Sequence, residues 1–563
     1  MAEMIGVSGS STLARGMTSE ERFVIFASSL GTIFEWYDFY LYAVLAPFFA
    51  ALFFPAGNDT AALLSALATY AAGFLVRPFG SLIFGRVGDL VGRKYTFLVT
   101  IMVMGTATFL VGLLPTYATI GWLAPVLLVT LRLLQGLAVG GEYGGAATYV
   151  AEHARPGERG YATSWIQTTA TLGLALALVI IIVCRELLAP DAFSEWGWRI
   201  PFIASAILLA FSVYIRLRLN ETPIFQKMKE EGSCSKAPII ESFVRYPNNK
   251  YALLALLGTT AGMAVVWYTG QFYALLFLTI TLKLAYLPAY LLVLVSLVIG
   301  TPLFVFFGWL SDRIGRLKII LAGCLVAALT YFPLFTALSG YVNPDLAAFS
   351  EQNPVTVMAD GSTCELHIFV TAFTKFSNCD RAQDLVTKLG LSFKTENVSG
   401  SGDKVNLRIG SKTVEGFDAG RWNAAFLDAG YPNLQRDKDG KVVPKAADTT
   451  KVNWLATELI LVVMVAYAAM VYGPVAAFLV ELFPTRIRYT SMSLPYHIGA
   501  GVFGGMLPLL ATAFVAATGN IYNGLWYPIA VAVMTTIVGG LLLRDTKDVD
   551  INLDSGVEAA QRA

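Results

Sequence analysis

The sequence predicts an all-α polytopic membrane protein, with twelve transmembrane helices in two six-helix halves and a small extracytoplasmic α/β insertion. Three observations predict this fold class: the composition, a series of long apolar segments and an internal repeat. The 563 residues are 56% hydrophobic and only 14% charged, whereas a soluble domain carries about 25% charged residues. So few charges cannot cover the surface of a soluble protein of this length. The 50 glycines are typical of membrane helices.

The apolar segments come first, because a spanning helix needs roughly 20 mostly apolar residues. Candidate spans lie at 23–53, 61–84, 96–114, 123–150, 161–184, 198–216, 251–281, 287–309, 318–338, 455–482, 491–517 and 523–543. The predicted organisation is a tail at 1–22, a bundle at 23–216, a central loop at 217–250, a bundle at 251–338 and 455–543 interrupted by an insertion at 339–454, and a tail at 544–563.

The distribution of basic residues predicts the orientation. Segments on the side of the termini hold 22 Lys and Arg, whereas the short loops on the other side hold three. Because short cytoplasmic loops are enriched in Lys and Arg, we expect both termini in the cytoplasm, the protein in the cell (inner) membrane and residues 339–454 outside the cytoplasm.

The long loop after the ninth span is predicted to be a folded domain. Residues 340–452 include 27 charged residues in 113, a density typical of soluble domains. Alternating patterns predict strands over 363–369 and 404–409, and 380–389 is predicted to be helical. Cys364 and Cys379 form either a disulfide, which an oxidising compartment permits, or two buried thiols.

An internal repeat predicts that the two halves are related. Residues 85–94 (GRVGDLVGRK) and 308–318 (GWLSDRIGRLK) share the pattern G-x-x-x-D-x-x-G-R, and each follows the second span of a six-span half. A repeat at matching positions is typical of transporters built from two parallel halves.

Together with this repeat, three further motifs resemble a known family. They are FEWYDFY at 34–40, RLLQG at 132–136 leading into GGEYGG at 140–145, and ELFPTRIR at 481–488, and RPFG at 77–80 precedes the first repeat copy. These segments are similar to those of the metabolite:proton symporter family within the major facilitator superfamily, whose members carry 2-oxoglutarate, citrate, shikimate, proline or betaine, and haloacids. The long insertion resembles the haloacid permeases.

The resemblance implies roles for the loop residues. It implies that Asp89, Arg93, Asp312 and Arg316 are gate residues that stabilise one face of an alternating-access cycle; the alternative is a purely topological role for the basic residues. Glu142, near the end of the fourth span, is expected to serve helix packing or the inner gate.

Charges inside the predicted spans are few and therefore informative, because intramembrane ionisable residues are costly and usually functional. Glu35 and Asp38 share one helix face, and we expect them to couple transport to protons. Arg132 and Arg77, the latter towards the cytoplasmic end of its span, are expected to bind an anion, since guanidinium forms a fork with carboxylate. The alternative is a fixed ion pair that only joins helices.

Other polar residues of the spans are candidates to line the same cavity. His497 is either a proton relay or a packing residue. The further candidates for substrate binding are Tyr42, Gln135, Trp165, Gln167, Tyr268 and Gln271.

The predicted function is proton-coupled import of a small organic anion, such as a short-chain monocarboxylate or haloacid. Alternatives are uptake of proline or betaine, of shikimate, or of a di- or tricarboxylate, and a solute-sensing receptor. An enzyme is disfavoured because the three histidines are scattered and no nucleophile motif occurs, and an ATP-driven pump because no P-loop occurs. We expect no metal or cofactor other than the coupling proton, no nucleic-acid partner, and a functional monomer in the bilayer.

Overall fold

A computed structural model describes residues 19–54, 59–91, 93–141, 143–155, 157–217, 237–368, 374–400, 402–484 and 487–549. Within these residues, eleven helices are long and apolar enough to cross a membrane, and a shorter apolar helix is third in chain order. Numbered 1 to 12, the spans are Thr32–Phe53, Asp59–Phe84, Leu98–Leu113, Leu123–Glu152, Arg159–Leu187, Gly197–Tyr214, Asn248–Thr281, Tyr286–Ile314, Arg316–Val342, Trp454–Leu482, Arg488–Thr518 and Asn523–Leu542. Each predicted segment overlaps one of them.

Several spans extend beyond the apolar segment or are interrupted within it. Span 1 is part of the helix Ser19–Phe53, and span 3 is part of the helix Arg93–Leu113. Span 2 falls on two successive helices, Asp59–Leu75 and Arg77–Val91, and so does span 4, on Leu123–Val139 and Tyr143–His153. The helix of span 6 is Ile200–Leu217, and spans 10 and 11 also divide, into Trp454–Tyr472 and Val475–Leu482, and into Arg488–Ile498 and Leu507–Thr518. Short helices connect the spans at Tyr117–Ile120, Pro190–Glu195, Gly197–Arg199 and Pro238–Phe243.

Spans 7 and 11 contain wide π-helical turns. They lie at Leu256–Thr260, Thr269–Tyr273, Phe277–Thr281 and Gly499–Gly505. Such turns interrupt the regular hydrogen-bond ladder and are frequent at functional sites.

The two halves approach most closely where span 5 crosses span 8. A Cβ atom built on Gly160 would lie 2.4 Å from the carbonyl oxygen of Gly308, and one built on Gly308 would lie 2.6 Å from that of Gly160. Only glycine fits at both positions, so the first glycine of the second repeat copy allows backbone contact between the halves.

The insertion forms an α/β domain with its own core. Its four-stranded sheet has the order β2-β1-β3-β4, with β1 parallel to β2 and the other pairs antiparallel, and β5 and β6 form a separate hairpin. The strands are β1 (Val355–Ala359), β2 (Phe393–Asn397), β3 (Asn406–Ile409), β4 (Lys412–Val414), β5 (Leu434–Arg436) and β6 (Val442–Pro444), and the helices are Pro344–Gln352, Asn378–Lys388 and Ala419–Asp428.

One strand predicted in the insertion does not form. The described residues 364–368 are irregular, because their polar groups bond to a side chain instead of to a neighbouring strand. The Asp380 carboxylate accepts the Glu365 N–H at 2.8 Å and lies 3.0 Å from the His367 ring. A disulfide joins Cys364 to Cys379 beside it.

The insertion contacts both halves at one end of the bundle, which we call the insertion end; the opposite end is the termini end. On the first half, the Asp384 carboxylate accepts the Thr60 N–H at 2.8 Å, at the start of span 2. On the second half, the Phe393 N–H donates to the Gly519 carbonyl at 2.7 Å, and the Ala447 N–H donates to the Lys283 carbonyl at 2.9 Å. The domain therefore bridges the two halves.

Candidate functional site

Inside the bundle, polar side chains from both halves are buried without hydrogen-bond partners. Among the residues that the structure describes, unpaired atoms include one Asp38 oxygen and two nitrogens each of Arg77 and Arg132. From the second half they include both polar atoms of the Gln271 amide and both ring nitrogens of His497. An unpaired buried polar atom costs about 1–3 kcal/mol, so such a cluster is typical of a site that a ligand or water completes. We call these five residues the central site.

Arg132 is held by a chain of hydrogen bonds within the first half. Its Nη1 donates to Gln135 Oε1 at 2.8 Å, and Gln135 Nε2 donates to the Thr108 hydroxyl at 2.6 Å. Thr108 in turn lies beside the Asp38 carboxyl. The guanidinium carbon also lies 3.8 Å from the centre of the Tyr42 ring. Asp38 forms no ion pair with Arg132, and one side of the guanidinium remains available.

Arg77 lies among aromatic rings. Its guanidinium carbon is 3.9 Å from the Phe74 ring centre and 4.2 Å from that of Phe39. Phe74 contacts Tyr268 of the second half at 5.6 Å between ring centres. A new helix begins at this residue, after the helix that ends at Leu75.

Tyrosines connect the two halves next to the central site. Tyr143 of span 4 stacks on Tyr496 of span 11 with ring centres 3.5 Å apart, and the Tyr496 hydroxyl lies 2.7 Å from that of Tyr472. The Tyr143 hydroxyl accepts a hydrogen bond from Gln167 Nε2 at 2.7 Å. Gln167 therefore reaches the interface between the halves.

At the termini end, a network of buried ion pairs joins the halves. Asp312 accepts the backbone N–H groups of Gly160 at 2.9 Å and Tyr161 at 2.8 Å, at the start of span 5, and binds Arg316 at 2.6 Å. Glu481 accepts two hydrogen bonds from Arg316, at 3.0 and 3.2 Å. This arrangement can hold the termini end closed.

Two further pairs complete this closure. Arg159 of span 5 lies 3.5 Å from the Glu481 carboxylate. Arg488 of span 11 binds Glu152 of span 4 at 3.1 Å, and both side chains are buried. Sequence reasoning quoted Glu481 and Arg488 only as a family motif, and it missed their partners.

The structure does not bring every predicted residue to the site. Trp165 is 44% exposed and packs edge-on against Tyr161 on the outside of the bundle, so its prediction as a cavity residue is wrong: its helix turns that position away from the other half. The side chains of Glu35, Asp89 and Arg93, and the whole of Glu142, lie outside the described residues.

Other residues of the site were not predicted. They are Tyr40, Tyr70, Thr108, Tyr143, Arg159, Tyr472 and Tyr496. The tyrosines have the same sequence signal as interfacial anchors. Only the packing of the two halves distinguishes them.

Comparisons with known proteins agree with this architecture. A family model described as the Major Facilitator Superfamily matches residues 27–357. The shikimate transporter of Escherichia coli (strain K12) is 36% identical over 329 residues, covering 57% of this chain and 73% of that protein. The alpha-ketoglutarate permease of the same organism is 34% identical over 422 residues, covering 73% of this chain and 92% of that protein.

The fold also matches solved structures. One is the proton:xylose symporter XylE bound to 6-bromo-6-deoxy-D-glucose, with a TM-score of 0.62 and 14% identity, covering 96% of this chain and 98% of that one. At this identity the likeness concerns the fold alone. From the family model and the relatives, the chain is a multi-pass membrane transporter and not an enzyme. It belongs to the major facilitator superfamily and, within it, to the metabolite:proton symporter family.

Proposed function

We propose that the protein imports a small organic anion together with a proton, by alternating access to the central site. The observation that carries this proposal is the central site itself. Two buried arginines and one carboxylate inside the bundle have unpaired polar atoms, and when ionised these three groups sum to a net charge of +1. A carboxylate would supply both the missing charge and the missing acceptors.

Each arginine contributes in a different way. Arg132 is oriented by Gln135 and Tyr42 and still has unpaired nitrogens Nε and Nη2, two adjacent donors of the kind that bind a carboxylate as a fork. Arg77 has the same two nitrogens unpaired but is enclosed by Phe39 and Phe74, which favours a substrate whose apolar part contacts these rings.

Asp38 is the proposed proton carrier. It is buried, forms no ion pair with a residue that the structure describes, and is connected to Arg132 through Thr108 and Gln135. Burying a charged carboxylate without a counter-charge is costly, and an anion bound at Arg132 adds to that cost by neutralising a nearby positive charge. Substrate binding and proton uptake are thereby linked. Glu35, one turn earlier on the same helix, is proposed to assist.

The alternative of proline or betaine uptake is less well supported. A quaternary ammonium needs open aromatic faces. Here Tyr40 stacks between Trp36 and Trp267, at 5.4 and 5.5 Å between ring centres. The arginines occupy faces of Phe39, Phe74 and Tyr42.

The proposed orientation has both termini in the cytoplasm and the insertion outside, in the inner membrane. The charge distribution of the loops supports it, as does the disulfide of the insertion, because disulfides persist in oxidising compartments. The protein is proposed to work as a monomer without a cofactor.

The test is uptake driven by an imposed pH gradient in proteoliposomes, with chloroacetate, lactate, shikimate, 2-oxoglutarate, proline and glycine betaine as competing solutes. We expect a carboxylate without a cationic group to be the best substrate. Arg132→Lys should raise KM at least tenfold, because it keeps the charge and loses the fork. Asp38→Asn should retain solute exchange and lose accumulation against a gradient.

Two results would contradict the proposal. One is preferred uptake of glycine betaine, and the other is full proton-driven accumulation by Asp38→Asn. Arg313→Gln is the matched control, since this arginine is exposed and packs over Trp309 on span 8. It should transport like the unchanged protein.

A further inference from the structure

A second cavity lies at the insertion end, apart from the central site. Its volume is about 420 Å³, within the range of small-molecule sites. Spans 1, 2, 7 and 11 supply its walls, and the insertion helix Asn378–Lys388 contributes Thr387 and Lys388. We propose that this insertion-end cavity is a separate binding site for small organic monocarboxylates, occupied before the central site; its role in import rests on the proposed function.

The charges around the cavity favour an anion. Lys283 and Lys388 line it together with one acid, Asp59, which gives a net charge of +1. Lys388 pairs with Asp59, and the Lys283 ammonium donates to the carbonyl oxygens of Ile280, at 2.5 Å, and of Lys388. Two backbone oxygens therefore orient the Lys283 ammonium without neutralising it. Its third proton is the proposed contact for a carboxylate.

The backbone of Lys283 supports a specific role for this residue. Its φ of 61° makes it the single non-glycine residue with positive φ among those described, a conformation that costs about 1 kcal/mol or more and persists where the surroundings require it. The loop is held by the Ala447 N–H, which donates to the Lys283 carbonyl. The insertion therefore fixes both the main chain and the side chain of the lysine.

The remaining lining suits the body of a small acid. Besides its charged residues, the cavity is lined by four threonines (Thr60, Thr281, Thr387 and Thr512) and by mostly apolar side chains, including Leu63 and Phe277. An organic monocarboxylate has this combination of one anionic end and an apolar body.

An aromatic pair separates this cavity from the central site. Tyr273 lines the cavity, and the preceding Phe272 packs against Tyr70 with ring centres 5.7 Å apart. Gln271 of the central site comes next along the same span. Tyr273 and Gln271 are two residues apart, about 3 Å along the helix axis, and neither Arg77 nor Arg132 lines the insertion-end cavity.

The test measures occupancy by protection of a cysteine from a membrane-impermeant maleimide in right-side-out vesicles. Thr512→Cys places the reporter in the cavity. Of the five cysteines, Cys184 and Cys324 are buried and Cys364 and Cys379 are bonded, so Cys234→Ser completes the background. Chloroacetate is the probe. We expect chloroacetate to slow labelling of the Thr512→Cys thiol at least threefold. The same slowing should be seen after Arg132→Gln, which removes binding at the central site.

Two further variants make the result specific. Lys283→Gln should abolish the protection and raise KM for chloroacetate uptake with little change in kcat. Lys283→Arg should leave the protection and the KM unchanged. Lys394→Cys, on the exposed face of β2, is the labelling control that chloroacetate should not affect.

The outcomes separate this inference from the proposed function. Loss of protection after Arg132→Gln, or protection that survives Lys283→Gln, overturns the separate site. Protection that persists in a protein that transports no organic anion supports the cavity site and refutes the proposed function.

Discussion

The two ends of the helical bundle are closed by different chemistry. At the termini end, the two halves are joined directly by the buried ion pairs Arg159–Glu481 and Arg488–Glu152. At the insertion end, an added domain bridges the halves through mostly partly exposed hydrogen bonds, and a cavity lies beneath it. Buried charge pairs are costly to break, whereas exposed ones contribute little. The termini end should therefore open in a concerted way, and the insertion end in small steps.

The largest expected effect comes from removing Glu481. Its buried carboxylate binds Arg316 and Thr546 and lies near Arg159. Glu481→Gln leaves two buried guanidinium groups without their shared counter-charge, at a cost of about 3–5 kcal/mol. We expect a large fall in the unfolding midpoint in detergent and loss of uptake. Glu458→Gln is the matched control, because this acid, at the other end of the same span, has one buried oxygen without a partner.

A double variant sharpens this prediction. Arg316→Gln combined with Glu481→Gln should lose less stability than the sum of the two single changes, because the second change removes the charge that the first leaves uncompensated. Strict additivity would show that the two residues do not act as a pair.

The next effect concerns Asp312, which joins the halves without being central to the network. Asp312→Asn keeps one acceptor oxygen and loses the charge that binds Arg316 and the start of span 5. A charged hydrogen bond contributes about 1.5–3 kcal/mol, so we expect the transport rate to fall about tenfold or more with the same order of substrate preference. A change of preference at an unchanged rate would contradict the gate role.

A smaller effect is expected at the insertion end. Asp384 caps the start of span 2 through the Asp59 and Thr60 N–H groups, and loss of such a cap costs about 1 kcal/mol. Asp384→Asn should therefore raise the labelling rate of Thr512→Cys by about fivefold or less. Asp428→Asn is the control, because its partner Arg436 lies within the insertion. An equal increase in both variants would show that Asp384 does not hold the cavity closed.

The smallest effect is a pH dependence of the insertion-end cavity. Burial lowers the pKa of Lys283 to about 8, and the nearby Lys388 ammonium adds to the shift; Asp59 and Asp384 are the acids on the adjacent elements. A lowered lysine pKa means that the positive charge is lost as the pH rises through about 8. In the Arg132→Gln background, protection of the Thr512→Cys thiol by chloroacetate should decrease above this pH. With Lys283→Arg in addition, the protection should persist to higher pH. Protection that is constant up to pH 10 would exclude Lys283 as the anchor.

Much of the fold could be predicted because bilayer insertion is a local property. Apolar length located the spans, and the charge density of 340–452 identified the insertion. The prediction of a strand over 363–369 was wrong because the Asp380 carboxylate binds polar groups of that segment, which a strand would bond to its neighbour. Local periodicity does not reveal a side chain more than ten residues away.

The candidate site could be predicted in part. Charges inside apolar segments identified Asp38, Arg77 and Arg132, because the bilayer makes each of them costly. The prediction for Trp165 was wrong because, from the sequence alone, an aromatic residue in an apolar span looks the same whether it faces the bundle or its outside. Glu481 and Arg316 are 165 residues apart and lie on either side of the insertion in the chain, so their pairing exists only when spans 9 and 10 pack together.

By itself, the sequence determined which residues lie in the bilayer, that two related halves exist, and which few charges the spans contain, since these properties depend on composition along short stretches of chain. The tertiary structure decided which charges meet, which aromatic faces are already occupied, and that the insertion bridges the halves above a cavity. These properties depend on contacts between helices distant in the chain, and close packing of the two halves fixes them.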